Sequence, residues 1–232
     1  MRQSAQPDWT EARNMTTDPT PRLRADARRN RDRIINTARE VFTERGTEVP
    51  MEEIARQAGV GVGTLYRRFP DRDSLIREVA VESFERLIAN TREITEHESD
   101  AWRALSELLH RATDLRTVAR LTMLSPRARE ILAADPATDA VHNQFMETLD
   151  ELIKRAQADG TMRSDVSTGD LGVIVAMLLQ GVQVLPDPVR DMMPGRYLGL
   201  LLDGLRADST AELPGRAVRV EEVIFRHPEP EQ

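Results

Sequence analysis

Residues 51–72, MEEIARQAGVGVGTLYRRFPDR, decide how this chain is read. Met51, Ile54, Ala55 and Ala58 recur at helical spacing, Pro50 suits the helix start, and Gly59 ends the run. The turn Gly59–Gly61 leads into a second short helix through Thr64, Leu65 and Tyr66. Two short helices joined by a glycine turn predict a helix-turn-helix. In that arrangement Ile54 and Ala55 face the interior, and Ala58 is small enough for close helix crossing. Gly59 takes the backbone conformation that a Cβ opposes. Val60 and Leu65 pin the second helix to the first, which leaves Val62, Gly63, Thr64, Tyr66, Arg67 and Arg68 facing outward.

Such an outward face suits DNA. A helix fits a major groove about 12 Å wide. Thr64 and Tyr66 carry hydroxyls for phosphate oxygens; Arg67, Arg68 and Arg72 carry charge, and an arginine fork also matches guanine O6 and N7. Val62 can touch a thymine methyl, while Gly63 lets the backbone come close. Upstream, residues 22–33 (RLRADARRNRDR) form an arginine-rich lead-in able to reach flanking phosphates or an adjacent minor groove.

The surrounding sequence is helical throughout. Ile34, Ile35, Ala38, Val41 and Phe42 form an amphipathic stripe stopped by Gly46, and Asp71 is placed to cap a long helix carrying Leu75, Ile76, Val79, Ala80, Phe84, Leu87 and Ile88. Further helices are expected near 101–117, 119–133, 137–159, 168–184 and 195–206. Nothing alternates with period two. The expectation is an all-α chain of about nine helices: a disordered arm over 1–21, a helix-turn-helix domain over 22–76, a helical regulatory and dimerisation domain over 77–206, and a fraying tail over 207–232.

Charge divides the same way. The 232 residues carry a net −7, yet residues 20–72 hold 12 arginines against 8 acids, a local +4 that leaves −11 elsewhere. A basic head on an acidic body fits a nucleic-acid contact in one part and another task in the rest. With no cysteine in the chain, disulfides, thiolate zinc sites and cysteine nucleophiles are excluded. The N-terminus lacks the apolar core of a secretion signal, and the longest apolar run, Leu171–Leu185, is interrupted by Gln180 and Gln183 and falls short of the roughly 20 residues a bilayer needs. A cytoplasmic protein without a membrane partner is expected.

Residues 30–76, from IINTAREVFTERG through EEIARQAGVGVGTLYRRFPDRDSLI, resemble the DNA-binding domain of TetR-family transcriptional regulators. The resemblance implies that the first helix buttresses the motif, the third reads DNA and the fourth leads to a regulatory body. Val62, Gly63, Thr64, Tyr66, Arg67 and Arg68 match the family's DNA-facing positions, and Arg72 stands where a phosphate-binding lysine is common. One departure is Val49-Pro50, where the family often has a capping Thr or Ser; any phosphate contact there must use backbone amides. The resemblance also implies a ligand cavity in the body, with Met123, Leu124, Phe145, Met146, Met177 and Gln180 as candidate lining.

Two late helices are apolar nearly all around, which requires burial on all sides. They suggest a dimer interface through Val175, Leu179, Val182, Leu198, Leu201 and Leu205. A dimer of short recognition helices would read a palindromic operator. The expected function is a ligand-released repressor acting as a homodimer on double-stranded DNA. The alternative is a helical interaction protein whose basic head meets an acidic protein partner. Other chemistry finds little support. Gly59, Gly61 and Gly63 lack the strand or the Lys-Ser/Thr of a phosphate loop. Asp135, Asp139 and His142 share a helical face, which reads more simply as a polar stripe than as a metal triad. There is no nucleophile elbow or H-E-x-x-H run, so neither enzymatic activity nor a cofactor is expected.

Overall fold

A computed structural model of the chain describes residues 19–111, 113–181, 187–208, 211–219 and 222. The regular elements among them are α1 (Pro19–Arg45), α2 (Met51–Gln57), α3 (Val62–Arg68), α4 (Arg72–His97), α5 (Ala101–His110), α6 (Thr113–Ala119), a π-helical turn (Arg120–Leu124), α7 (Pro126–Ala133), α8 (Pro136–Ala158), α9 (Thr168–Gly181) and α10 (Asp187–Gly204). The all-α expectation holds, with ten α-helices among the described residues where nine were expected. The predicted helix 101–117 is two, because α5 ends at His110. The predicted helix 119–133 is divided at Ser125, whose side chain accepts from Ala128 N at 3.2 Å and caps α7 with Pro126 in its first turn. The arginine-rich lead-in belongs to α1, which starts at Pro19; residues 1–18 of the expected arm and 223–232 of the tail lie outside the described residues.

Capping chemistry sets the start of α4. Asp71 accepts from Ser74 N at 2.7 Å while Ser74 Oγ faces Asp71 N, a reciprocal capping box. Gly59 adopts φ +63° at the end of α2, the left-handed conformation anticipated for the motif's turn.

Two apolar cores divide the molecule. The head core gathers Ile34, Ile35 and Phe42 of α1, Ile54 of α2, Leu65 of α3 and Leu75, Ile76 and Val79 of α4. The body core gathers Phe84 and Leu87 of α4 with residues of α5, α8, α9 and α10. Helix α4 therefore serves both cores, turning from head to body between Ala80 and Phe84 rather than at residue 76. Leu121, Ala128 and Leu132, far along the sequence, are also fully buried in the head core. Burying a leucine contributes roughly 1.5–3 kcal/mol, so these residues anchor the π-turn and α7 firmly to the head.

Two expectations are corrected here. Val175, Leu198 and Leu205 are buried in the chain's own body core, and Leu201 is half-buried against it, because α9 and α10 pack onto the bundle and spend those side chains there. Val182 and the side chain of Leu179 lie outside the described residues. The tail, expected to fray, is bound over 211–219: Ser167 Oγ donates to Val218 O, and Val218 N donates to Asp170 Oδ1 at 3.0 Å. Gly169 makes this crossing possible, since a Cβ there would stand 2.2 Å from Val218 O.

Candidate nucleic-acid interface

Helix α3 is held by one buried side chain. Leu65 is fully buried in the head core, while Val62 and Tyr66 are 41% and 39% exposed, and Gly63, Arg67 and Arg68 are exposed beside them. A Cβ at Gly63 would meet nothing within 4 Å, so that face of the helix is open for close approach. Six of the seven residues expected to contact DNA thus lie together on or around this face, with Thr64 half-buried among them. The turn leading to it is closed by backbone bonds from Ala58 N to Ile54 O at 2.9 Å and from Val60 N to Ala55 O at 3.0 Å.

The polar groups on the face are pre-arranged. Arg67 folds back along α3, donating from Nη2 to Thr64 Oγ1 at 3.1 Å and from Nε to Gly63 O at 3.2 Å. Tyr66 Oη donates to Glu52 Oε1 of α2 at 3.0 Å. That bond raises the Tyr66 pKa, and Glu52 is held below the usual carboxylate range by a backbone hydrogen bond and by Tyr66. Glu53 is likewise lowered by Arg45, whose Nη1 stands 2.5 Å from its carboxylate. Acids in the first turn of α2 suit the helix dipole.

Arg72 takes a different place from the other six. Its Nη1 donates to Thr47 O and, at 2.7 Å, to Val49 O, so the guanidinium clasps the loop that enters α2. It supports the motif from behind. The same loop begins α2 at Pro50 without a side-chain cap, in keeping with the missing Thr or Ser.

The body encloses a cavity of about 70 Å³. Met123, Phe145 and Met146 line it as expected, together with Phe84, Thr122, His142 and Leu171. Leu124 is not in the lining, Met177 is 66% exposed on the outer side of α9, and the side chain of Gln180 lies outside the described residues. His142, expected on a polar stripe, is instead buried edge-on to Phe84, ring centroids 5.1 Å apart, and burial lowers its pKa to about 4. The signal for this was its helical spacing to Phe145 and Leu149, two apolar residues of the buried face. No cluster of three or more metal-ligating side chains occurs among the described residues. No helix there is long and apolar enough to cross a membrane.

The family model for bacterial regulatory proteins of the tetR family matches residues 34–79, and one described as a transcriptional regulator SbtR-like C-terminal domain matches residues 102–207. A TetR transcription regulatory protein from Mycobacterium vanbaalenii is 32% identical, with 79% of this chain and 99% of that one covered and a TM-score of 0.51. The chain belongs to the TetR family of transcriptional regulators. A TetR regulator from Streptomyces coelicolor is similar at 30% identity and a TM-score of 0.57, covering 76% of this chain and 98% of that one. An HTH-type transcriptional regulator of Staphylococcus aureus is 38% identical over 73 residues, which is 31% of this chain and only 40% of that protein. The regulator LfrR from Mycobacterium smegmatis, solved in complex with proflavine, shares the fold at 22% identity, a TM-score of 0.59 and coverage of 81% and 99%.

Proposed function

We propose that this TetR-family regulator is a homodimeric repressor that binds a palindromic operator through α3 and is released when a small molecule enters the body cavity. The observation that carries this reading is the open face of α3, where Val62, Gly63, Tyr66, Arg67 and Arg68 stand exposed around a single buried anchor, Leu65. Dimerisation is supported by apolar side chains that the chain's own core does not cover. Met177 of α9 and Leu200 of α10 are 66% and 62% exposed, and Ile174, one turn before Met177, is exposed as well. Two such helices from each copy would bury them, and two-fold symmetry would present two recognition helices.

Release is supported by the connections between cavity and head. Thr122 and Met123 of the π-turn line the cavity, while Leu121 just before them is buried in the head core. Residues on either side of this turn meet the head, Thr117 of α6 through Thr43 at 2.7 Å and Ser125 through Thr47 at 3.3 Å. Thr47 in turn is held by Arg72 at the entrance to α2. π-helical turns are rare and often mark functional sites. A cavity of 70 Å³ must widen to admit a ligand of ordinary size, and the flexible Met123 and Met146 side chains provide for that. Widening displaces the π-turn and, with it, the head. Among the described residues the lining holds no Lys, Arg, Asp or Glu, and burial keeps His142 neutral at pH 7, so the reading favours an uncharged and largely apolar effector. Differential affinity of a few kcal/mol between the two head positions is enough to change operator occupancy.

A salt-titrated gel shift on DNA flanking the protein's own gene tests this. A specific complex of two chains per duplex is expected, lost in Arg67→Ala. Absence of any sequence-specific shift at moderate salt would leave the repressor reading without support.

A further inference from the structure

The open face of α3 does not account for the most basic stretch of the chain. Over Pro19–Arg33, the first part of α1, six arginines stand against two aspartates. Among the described residues the head core begins at Ile34, and none from Ala25 to Arg33 belongs to it. It is nevertheless anchored. Arg31 pairs with Glu78 and, at 3.6 Å, with Glu82 of α4, and Arg39 reaches Glu82 at 3.1 Å.

Anchoring gives Arg28, Arg29 and Arg33 a defined direction. Arg33 is exposed, and its Nη1 lies 3.7 Å from where a Cβ on Gly59 would stand, beside the turn that leads into α3. Its Nη2 bonds a neutral amide, Asn30, at 2.6 Å, so the charge is left uncompensated by that contact. Arg29, four residues earlier, shares its face, and Arg28 adjoins it; both are exposed. At 1.5 Å per residue the three extend the basic surface roughly 6–8 Å beyond the helix-turn-helix. Arg29 pairs with Asp26 in the free protein, a weak exposed contact that a phosphate can replace.

We propose that Arg28, Arg29 and Arg33 form a second DNA contact, gripping backbone phosphates beside the groove that α3 enters and reading no base sequence. It rests on the DNA-binding reading of α3. Helical arginines on a fixed axis match a phosphate backbone, which lies at the same distance whatever the sequence. Because Arg31 ties this part of α1 to α4, the contact moves with the helix that joins head to body.

The test measures binding of the full chain to a duplex recovered by in-vitro selection and to a random-sequence duplex of equal length, over a range of salt. Each phosphate contact contributes about 0.9 to the slope of log K against log salt, so Arg28→Ala, Arg29→Ala and Arg33→Ala together lower the slope by about 2–3 for each chain bound. Affinity then falls by the same factor on both duplexes, and hydroxyl-radical protection shortens at its outer edges. The triple lysine variant restores the slope. An unchanged slope in the alanine variant overturns the proposal. So does an equal fall when Arg92, Arg103 and Arg155 of the body are replaced instead, or a failure of lysine to restore the slope. Should the wild-type chain bind neither duplex, the reading of α3 itself has failed, which is a different result from a wild-type complex insensitive to the arm.

Discussion

Thr43 Oγ1 of α1 and Thr117 Oγ1 of α6 lie 2.7 Å apart in a buried contact between head and body. Thr43 Oγ1 also lies 2.7 Å from Arg39 O, so the two hydroxyls and this carbonyl form one buried hydrogen-bonded group in which either threonine can donate to the other. A shared buried hydrogen bond at this junction ties the packing of the sensor body to the packing of the DNA-binding head. Thr117→Val is expected to cost about 1–3 kcal/mol, because it removes a partner from a buried hydroxyl. The double change with Thr43→Val is expected to cost less than the two single changes added together, and urea unfolding of the four proteins measures the difference.

Glu52 opposes DNA at the interface itself. Its carboxylate holds the Tyr66 hydroxyl at 3.0 Å, and any phosphate bound by Tyr66 approaches that negative charge. Glu52→Gln is therefore expected to tighten DNA binding by a few-fold at low salt, a gain that salt screens because the charge is exposed. Fluorescence anisotropy at two salt concentrations checks both the gain and its screening; weaker binding would mean that Glu52 positions Tyr66 productively.

Arg67 and Arg72 separate binding from stability. Arg67→Ala is expected to reduce DNA affinity with little change in melting temperature, since its partners are Thr64 and Gly63 on the same exposed helix. Arg72→Ala removes two charge-assisted bonds to Thr47 O and Val49 O and is expected to destabilise the fold by about 1.5–3 kcal/mol. Calorimetry and anisotropy on the two variants distinguish them, and a stable Arg72→Ala chain that loses DNA binding would return Arg72 to the phosphate-contacting set.

Burial of His142 predicts acid sensitivity. Its folded pKa of about 4 lies below the unfolded value of about 6.5, so the unfolded chain takes up the proton first as pH falls. The stability linked to His142 is complete above pH 6.5 and declines by about 1.4 kcal/mol per pH unit down to about pH 4. Unfolding free energies measured at pH 7.5 and 5 are expected to differ less in His142→Leu than in the wild-type chain.

The tail crossing depends on Gly169. Gly169→Ala places a Cβ 2.2 Å from Val218 O, less than any atomic contact allows, and is expected to lift residues 211–219 from α9. Limited proteolysis should then cut this segment in the variant at protease concentrations that spare it in the wild type.

Local chemistry in the sequence determined the helices of the head, the Gly59 turn, the Asp71 cap and the outward face of α3. Each depends on residues within one or two turns of one another: a periodic stripe, a conformation only glycine takes easily, a side chain three residues from the amide it binds. Burial of Leu65 and exposure of Tyr66 follow from the same register. Tertiary structure decided what no local pattern encodes. Leu121 and Leu132 read as part of the body, yet their side chains close the head core because α6, the π-turn and α7 lie across it. Arg72 carries the charge of a phosphate ligand but meets two carbonyls 23 and 25 residues upstream. Leu198 and Leu205 are apolar enough for an interface and are used inside the chain instead, whereas Met177 and Leu200 are left outside. Hydrophobicity states that a side chain will be covered; which surface covers it is settled by the packing of segments distant in sequence.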